Sequence, residues 1–78
     1  MKYVYILVSE DELHHYTGIT SVLKARLAKH NAKEVPHTSK YAPWILKTYI
    51  AFSDGQQAHT FETYLKSASG RAFAKKRL

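Results

Sequence analysis

Residues 3–8 of this chain form an unbroken run of aromatic and aliphatic side chains, YVYILV. The run is bounded on its carboxyl side by the polar residues 9–11. Aromatic and β-branched residues favour β-strands, and a strand that is apolar throughout is typical of the buried centre of a sheet. We therefore predict a strand over 3–8 that lies at the centre of a sheet and not at its edge.

The rest of the first half predicts one more strand and one helix. Residues 14–20 indicate a second strand, antiparallel to the first across a loop at 9–13. A helix capped by Thr20 or Ser21 follows and runs to about Asn31, because its apolar residues recur at helical spacing.

The second half predicts one strand and two helices. Residues 33–43 contain two prolines and indicate an irregular surface loop with at most one short helical turn. A third strand is expected over 44–52. Asp54 has a glutamine three residues later and favours a capping box at the start of a helix. The run 67–70 is expected to break that helix, and a short terminal helix follows over 71–77.

The predicted element order is therefore β-β-α-β-α-α. It indicates an α+β fold with a small three-stranded, mostly antiparallel sheet flanked by helices. At 78 residues the chain is expected to be a single domain, 1–78. Because it has six Tyr, three Phe and one Trp but no cysteine, aromatic packing must substitute for disulfides, and cysteine-based zinc sites are excluded.

The chain is basic, with twelve Lys and Arg against six Asp and Glu. No acid follows Glu62, and the basic residues beyond it are Lys66, Arg71, Lys75, Lys76 and Arg77. This asymmetry favours a polyanionic partner such as nucleic acid, which these five side chains would contact. A soluble surface with a cationic tail explains the charge equally well.

No apolar run approaches the roughly 20 residues that a membrane-spanning helix needs. The amino terminus has one lysine and a short apolar stretch but lacks a small-residue cleavage site. We therefore expect no membrane partner and a cytoplasmic location.

Glu62 lies in the middle of the second predicted helix, beside its apolar positions. Hydrolysis of a phosphodiester develops charge on phosphate oxygens, which Mg²⁺ commonly neutralises. Mg²⁺ often takes only one or two carboxylates from the protein, so one glutamate facing the sheet suffices. An exposed glutamate paired with Lys66, one turn further along, is the commoner arrangement.

Arg26 and His30 are four residues apart and share one face of the first helix. Arginine can bind a phosphate through two parallel hydrogen bonds, and histidine can act as a general base. A solvated basic helix face explains Arg26 equally well.

Tyr5 and Tyr16 fall on neighbouring predicted strands. A phenol can orient an attacking water, or activate it when a nearby cation lowers the phenol pKa. Core tyrosines with satisfied hydroxyls are more common, and Gly18 suits either a close backbone approach or a strand bend. His14 and His15 are adjacent on a strand and point to opposite faces, so we do not expect them to share a metal ion.

Taken in order, these segments resemble the GIY-YIG endonuclease domain, above all its small stand-alone bacterial members. The strand YVYIL, the segment YTGIT, the helix end RLxxHN and the stretch FETYLKSASGRAFAKKR all have counterparts there. The likeness covers essentially the whole chain. It implies a three-stranded antiparallel sheet flanked by helices, in agreement with the order predicted above.

The resemblance also implies roles for particular residues. The positions that match the family's catalytic residues are Tyr5, Tyr16, Arg26, His30 and Glu62. Glu62 would hold a single Mg²⁺ or Mn²⁺, and Arg26 would stabilise the phosphate. Either tyrosine, with His30, would position or deprotonate water. Gly18 matches the glycine of the second motif and would contact the nucleic acid.

Three positions depart from the family's pattern. Tyr3 replaces the leading glycine of the first motif, Ile19 replaces a lysine of repair-type members, and no asparagine follows Asn31. These departures bear on repair-type activity more than on the fold.

The resulting prediction is a Mg²⁺-dependent endonuclease that cuts DNA, with repair or recombination as its setting and RNA as the alternative substrate. A chain of 78 residues leaves no room for a separate DNA-binding domain, so weak binding or recognition through a partner protein is expected. Two other readings remain open, because a fold does not guarantee a function. One is a non-catalytic nucleic-acid-binding module, and the other is a domain that binds an acidic protein.

Overall fold

The computed structural model describes residues 1–78 and contains one three-stranded sheet and three α-helices. In chain order the elements are β1 (Lys2–Ser9), β2 (His15–Thr20), α1 (Leu23–Asn31), β3 (Trp44–Phe52), α2 (Gly55–Leu65) and α3 (Ala68–Arg77). A single 3-10 turn, Ser39–Tyr41, precedes β3. The predicted α+β class and the order β-β-α-β-α-α are confirmed. None of the helices has the length and apolar character needed to cross a membrane.

β1 is the central strand, in the sheet order β2-β1-β3, and both pairings are antiparallel. Its residues from Val4 to Leu7 are all buried, which confirms the central strand predicted from its apolar run. Because successive side chains of a strand point to opposite faces, β1 supplies both faces of the sheet.

One face of the sheet packs against α1. Tyr5, Leu7 and Trp44 form its buried cluster, and Leu23 and Leu27 of α1 pack on them. We call this the α1 face. Trp44 is only 4 % exposed and belongs to the core of this face.

The opposite face packs against α2 and α3. Its buried cluster is Val4, Ile6, Ala58 and Leu65, and partly buried phenylalanines such as Phe61 surround it. We call this the α2–α3 face. It is aliphatic at its centre and has no buried histidine.

β3 contains one extra residue relative to β1. Ile6 pairs with Thr48 and Leu7 pairs with Leu46, so Lys47 between them has no partner. This β-bulge interrupts the regular alternation of the strand and re-aims the side chain at that position.

Two predicted helix starts are wrong. Neither Thr20 nor Ser21 caps α1, whose N-cap is Val22 without a side-chain hydrogen bond. Thr20 still ends β2, so its hydroxyl oxygen instead accepts the backbone N–H of Val22 at 3.1 Å, in a tight turn before the helix.

The second correction concerns the break expected at 67–70. Ser67 is the N-cap of α3 and accepts the N–H of Gly70 at 3.1 Å, so the helix already begins at Ala68. Gly70 lies inside α3, buried against the backbone of α2, and its missing side chain permits a helix contact where the sequence indicated a break. At α2 the Asp54 carboxylate accepts the N–H of Gln56 at 2.9 Å, which confirms Asp54 as the N-cap, but Gln57 makes no return bond, so the predicted capping box does not form.

Candidate active site

Tyr5 occupies the middle of β1, directly opposite Gly18 of β2. Its side chain is 1 % exposed, and its ring lies over the α-carbon of Gly18. A Cβ at position 18 would stand 2.5 Å from Cζ of Tyr5 and 3.0 Å from Cε2 of Tyr16. Gly18 therefore provides space for the two tyrosine rings, which is a close approach of side chains and not the backbone approach considered from the sequence.

The hydroxyl of Tyr5 ends a chain of buried hydrogen bonds. It lies 2.9 Å from Nε2 of His30, and Nδ1 of His30 lies 2.8 Å from the hydroxyl oxygen of Thr38. The Thr38 hydroxyl in turn donates to the carbonyl of Val35 at 3.3 Å. Since Thr38 has only one proton to donate, it accepts the Nδ1 proton of His30. Nε2 of a neutral His30 is then an acceptor, and Tyr5 donates to it.

The protonation states agree with this chain. Burial lowers the pKa of His30, and the nearby charge of Arg26 lowers it further, so the imidazole is neutral near pH 7. Burial raises the pKa of Tyr5, while interaction with Arg26 offsets part of that rise. In the resting protein the phenol of Tyr5 therefore keeps its proton and donates it in a hydrogen bond to the unprotonated Nε2 of His30.

Arg26 and Tyr16 lie against the same pair. The guanidinium of Arg26 faces the hydroxyl of Tyr5, and this interaction raises the pKa of Arg26. Tyr16 also interacts with Arg26, and its ring centre is 5.0 Å from that of His30 and 6.3 Å from that of Tyr5. The structure thus brings four of the five proposed catalytic residues into one cluster.

Glu62, the fifth residue, comes from α2. Only 8 % of it is exposed, and Nζ of Lys66 lies 2.6 Å from Oε2 of its carboxylate. Next to the dominant effect of burial, the negative charge of Glu62 is one of the smaller causes that raise the pKa of Tyr5. Glu62 is therefore turned inward while it pairs with Lys66, so the ion pair considered from the sequence forms but the exposed position does not.

The donor set restricts which metal ion could bind. The structure holds no group of three or more His, Cys, Asp or Glu side chains that could share an ion. A lone carboxylate does not suit zinc, which takes three or four protein ligands. It does fit Mg²⁺ or Mn²⁺ that keeps several waters and takes its other ligands from a phosphate. Glu62 would hold such an ion once Lys66 gives way.

The basic residues predicted to contact nucleic acid fall into two groups. Lys66, Arg71 and Lys75 line a cleft of about 620 Å³ beside α2 and α3. Lys76 and Arg77 are exposed at the end of α3 and do not line it. The five basic residues that the sequence places in one tail therefore lie in two different places in the structure.

Two residues of this region could not be predicted from the sequence. Thr38 orients His30 from within a loop, and no local pattern signals a contact with a residue eight positions earlier. Lys47 also lines the cleft, by way of the bulge in β3, and a register irregularity has no signature in a single strand.

Comparison with known proteins adds to this geometry. The family model described as the GIY-YIG catalytic domain matches residues 1–77. The solution NMR structure of the UPF0213 protein BH0048 from Bacillus halodurans is similar, with a TM-score of 0.58 and 29 % identity. The similarity covers 97 % of this chain and 84 % of that chain. No curated protein matches the chain.

Proposed function

This chain belongs to the GIY-YIG family, and from that membership and the site geometry we propose that it is a divalent-metal-dependent endonuclease that hydrolyses phosphodiester bonds in DNA. Family membership by itself supports a nuclease-type function and hence a nucleic-acid substrate. The metal, the choice of DNA and the roles of individual residues are the parts that we propose.

The observation that carries the proposal is the hydrogen bond from Tyr5 to His30 beside Arg26. A phenol with a raised pKa is a poor base alone, because little phenolate forms at neutral pH. It can still accept a proton from water if it passes its own proton to Nε2 of His30. Because Thr38 fixes the orientation of the neutral imidazole, Nε2 stays unprotonated and can take this proton.

The two tyrosines differ in access. Tyr5 is fully buried, whereas Tyr16 is partly exposed. We therefore assign Tyr16 to orient the attacking water and Tyr5 to move its proton towards His30. Arg26 donates to the phosphate oxygens and stabilises the charge that develops on them.

Glu62 would hold the metal ion, as its inward position and lone charge partner allow. The bound ion supplies charge neutralisation at the phosphate. When the metal ion displaces Lys66 from Glu62, the ammonium group of Lys66 becomes available to contact a substrate phosphate.

A second candidate function is binding without cleavage. The cleft lined by Lys66, Arg71 and Lys75 supports it, because binding needs only the cationic residues and not the tyrosine–histidine pair. The two candidates separate cleanly in an assay that reads binding and scission independently.

The test is nicking of supercoiled plasmid and of a branched DNA in Mg²⁺ or Mn²⁺, with Glu62→Gln compared with Glu34→Gln. Glu34 is an exposed acid in the loop after α1 and serves as the control. We expect Glu62→Gln to lower the cleavage rate by about 100-fold or more, the scale seen when a group that stabilises transition-state charge is lost. Cleavage at the wild-type rate by Glu62→Gln would refute the metal site. Tight, salt-sensitive binding without scission by any variant would favour the second candidate.

A further inference from the structure

The cleft beside α2 and α3 has a composition that the catalytic cluster does not explain. Its floor includes the apolar side chains of Ile6, Leu65 and Ala74. The basic side chains around it are His15, Lys47, Lys66, Arg71 and Lys75, and no acidic residue lines it. It opens on the α2–α3 face, since Ile6 and Leu65 belong to that face's core.

The cleft shares one residue with the catalytic cluster and borders Glu62 through an ion pair. Tyr16 lines the cleft, and its ring centre is also 5.0 Å from that of His30. Lys66 lines the cleft, and its Nζ is also 2.6 Å from the carboxylate of Glu62. A ligand that fills the cleft therefore ends beside the residues proposed to cut it.

The bulge in β3 contributes directly to this cleft. Leu46 packs on the α1 face, whereas Thr48 pairs with Ile6 and belongs to the α2–α3 side. Lys47, the extra residue between them, is unpaired on β1 and lines the cleft. The bulge thus places the cation of Lys47 on the α2–α3 face, where a regular strand would have no extra residue.

The combination indicates the chemistry of the ligand. A positive groove that follows a phosphate backbone, together with aromatic side chains on which bases stack, is how proteins bind single-stranded nucleic acid, and Tyr16 is the aromatic side chain in this lining. A volume of about 620 Å³ is within the range of sites that enclose a small molecule, so the cleft can admit a nucleotide but not a double helix. The absence of acids gives the matching charge complementarity for phosphates.

We propose that this cleft binds an unpaired segment of the nucleic acid next to the bond that is cut, which rests on the proposed nuclease function. Lys47, Arg71 and Lys75 contact its phosphates, and a base lies against Ile6 and Leu65. The substrate class is then nucleic acid with a single-stranded flap, gap or branch, and an uninterrupted duplex is a poor ligand.

The experiment compares two charge-matched triple variants. The cleft variant carries Lys47→Gln, Arg71→Gln and Lys75→Gln. The control carries substitutions of three lysines that lie outside the cleft lining, Lys24→Gln, Lys33→Gln and Lys40→Gln. All six side chains are exposed, so both variants are expected to fold, which thermal melting would verify.

Binding is measured by fluorescence anisotropy with labelled single-stranded DNA, single-stranded RNA and duplex DNA of about 12 nucleotides, in EDTA so that no cleavage occurs. Three lost phosphate contacts flatten the plot of log affinity against log salt by about 2, since each contact contributes about 0.7 on a single strand. We expect about a tenfold or greater loss of single-strand affinity in the cleft variant and a much smaller loss in the control. A loss of affinity for both single-stranded DNA and single-stranded RNA supports the cleft. Whichever of the two the wild type binds more tightly is its preferred type of nucleic acid.

Three results would overturn the proposal. Equal losses in the two variants would show that net charge alone is responsible. Duplex binding as tight as single-strand binding would remove the requirement for an unpaired segment. The oligonucleotide could also be added to the wild-type protein while methyl NMR signals are recorded. If the signals of Ile6, Leu65 and Ala74 did not shift while others did, the ligand would bind elsewhere.

Failure of the cleft and failure of the nuclease function give different patterns. If the wild type nicks DNA while the cleft variant binds single strands normally, the cleft proposal fails and the nuclease stands. If nothing is nicked in any metal while only the cleft variant loses binding, the nuclease fails and the cleft still binds single strands.

Discussion

The two faces of the sheet bury their side chains in different ways. On the α1 face the polar atoms are deep inside, since Tyr5, His30 and Thr38 are each at most 1 % exposed and each has a hydrogen-bond partner. On the α2–α3 face the centre is aliphatic, and the basic side chains stand at the margin of an open cleft. Buried, fully partnered groups are held in one orientation, which proton transfer needs, whereas exposed cations suit the binding of a flexible polyanion.

Each face also depends on one glycine at a close contact, but the atoms contacted differ. At Gly18 the neighbours are side-chain atoms of Tyr5 and Tyr16. At Gly70 they are backbone atoms of Tyr64 and Leu65. A side chain can move at some cost, whereas the backbone of a packed helix moves only with the helix, so substitutions at the two sites should have unequal effects.

The largest effect is expected for Gly70→Ala. The new Cβ would overlap the carbonyl oxygen of Tyr64 and stand 2.6 Å from Cα of Leu65, which forces α2 and α3 apart. We expect the free energy of unfolding to fall by about 3 kcal/mol, at the upper end for overpacked sites. Urea denaturation measures the change.

Gly55→Ala is the matched control for this prediction. The nearest atom to a Cβ there is Cγ of Lys2 at 3.7 Å, an ordinary contact, and no glycine in the chain has a positive φ. Alanine should therefore raise stability by up to about 1 kcal/mol through helix propensity. Wild-type stability for Gly70→Ala would mean that α2 and α3 do not meet as described.

Gly18→Ala should cost less, about 2 kcal/mol, because Tyr5 and Tyr16 can shift. The movement of Tyr5 would break its bond to His30, so cleavage should fall along with stability. In a Tyr5→Leu background the overlapping Cζ and hydroxyl are gone and only the 3.0 Å approach to Cε2 of Tyr16 remains, so the same substitution should cost much less. A double-mutant cycle by urea denaturation gives the coupling, and strict additivity would contradict the contact.

Sequence periodicity could predict the elements and the residues on them. The apolar run of β1, the four-residue spacing of Arg26 and His30 and the position of Glu62 on α2 are local patterns. They are enough to place these side chains on a strand or a helix face. The bounds of β3 also match the prediction, because most of its residues are β-branched or aromatic.

The parts that could not be predicted depend on contacts between distant segments. Thr38 orients His30 only because the loop after α1 folds back over it, and Lys47 enters the cleft only because β3 slips by one residue against β1. Gly70 was misjudged for the same reason. A glycine favours a break by local propensity, and only the position of Tyr64 shows that it serves packing instead.

A third prediction concerns the orientation of His30 on the α1 face. Thr38→Val keeps the shape of the side chain but leaves Nδ1 of His30 without its acceptor, which should cost about 1–2 kcal/mol. Thr38→Ser keeps the hydroxyl and should restore most of that stability. Nitrogen-15 spectra of the imidazole should show a single tautomer in wild type and Thr38→Ser, and a mixture in Thr38→Val. A single tautomer in all three would remove Thr38 as the group that fixes the ring.

The smallest expected effect is a pH dependence confined to the α1 face. Burial lowers the folded-state pKa of His30 below its ordinary value of about 6.5. As the pH falls below about 6.5 the unfolded chain binds a proton at this residue before the folded chain does, so unfolding takes up a proton and stability declines. Above that pH the imidazole is neutral in both states and contributes nothing.

For one proton the decline cannot exceed about 1.4 kcal/mol for each pH unit. Urea denaturation between about pH 7.5 and about pH 5.5 should show it in the wild type and in the control His59→Gln, which alters an exposed residue of α2. His30→Gln should be less stable throughout, because it loses the bond to Tyr5, yet its stability should vary less over this range. An equal decline in His30→Gln would move the pH sensitivity to other groups and remove this difference between the two faces.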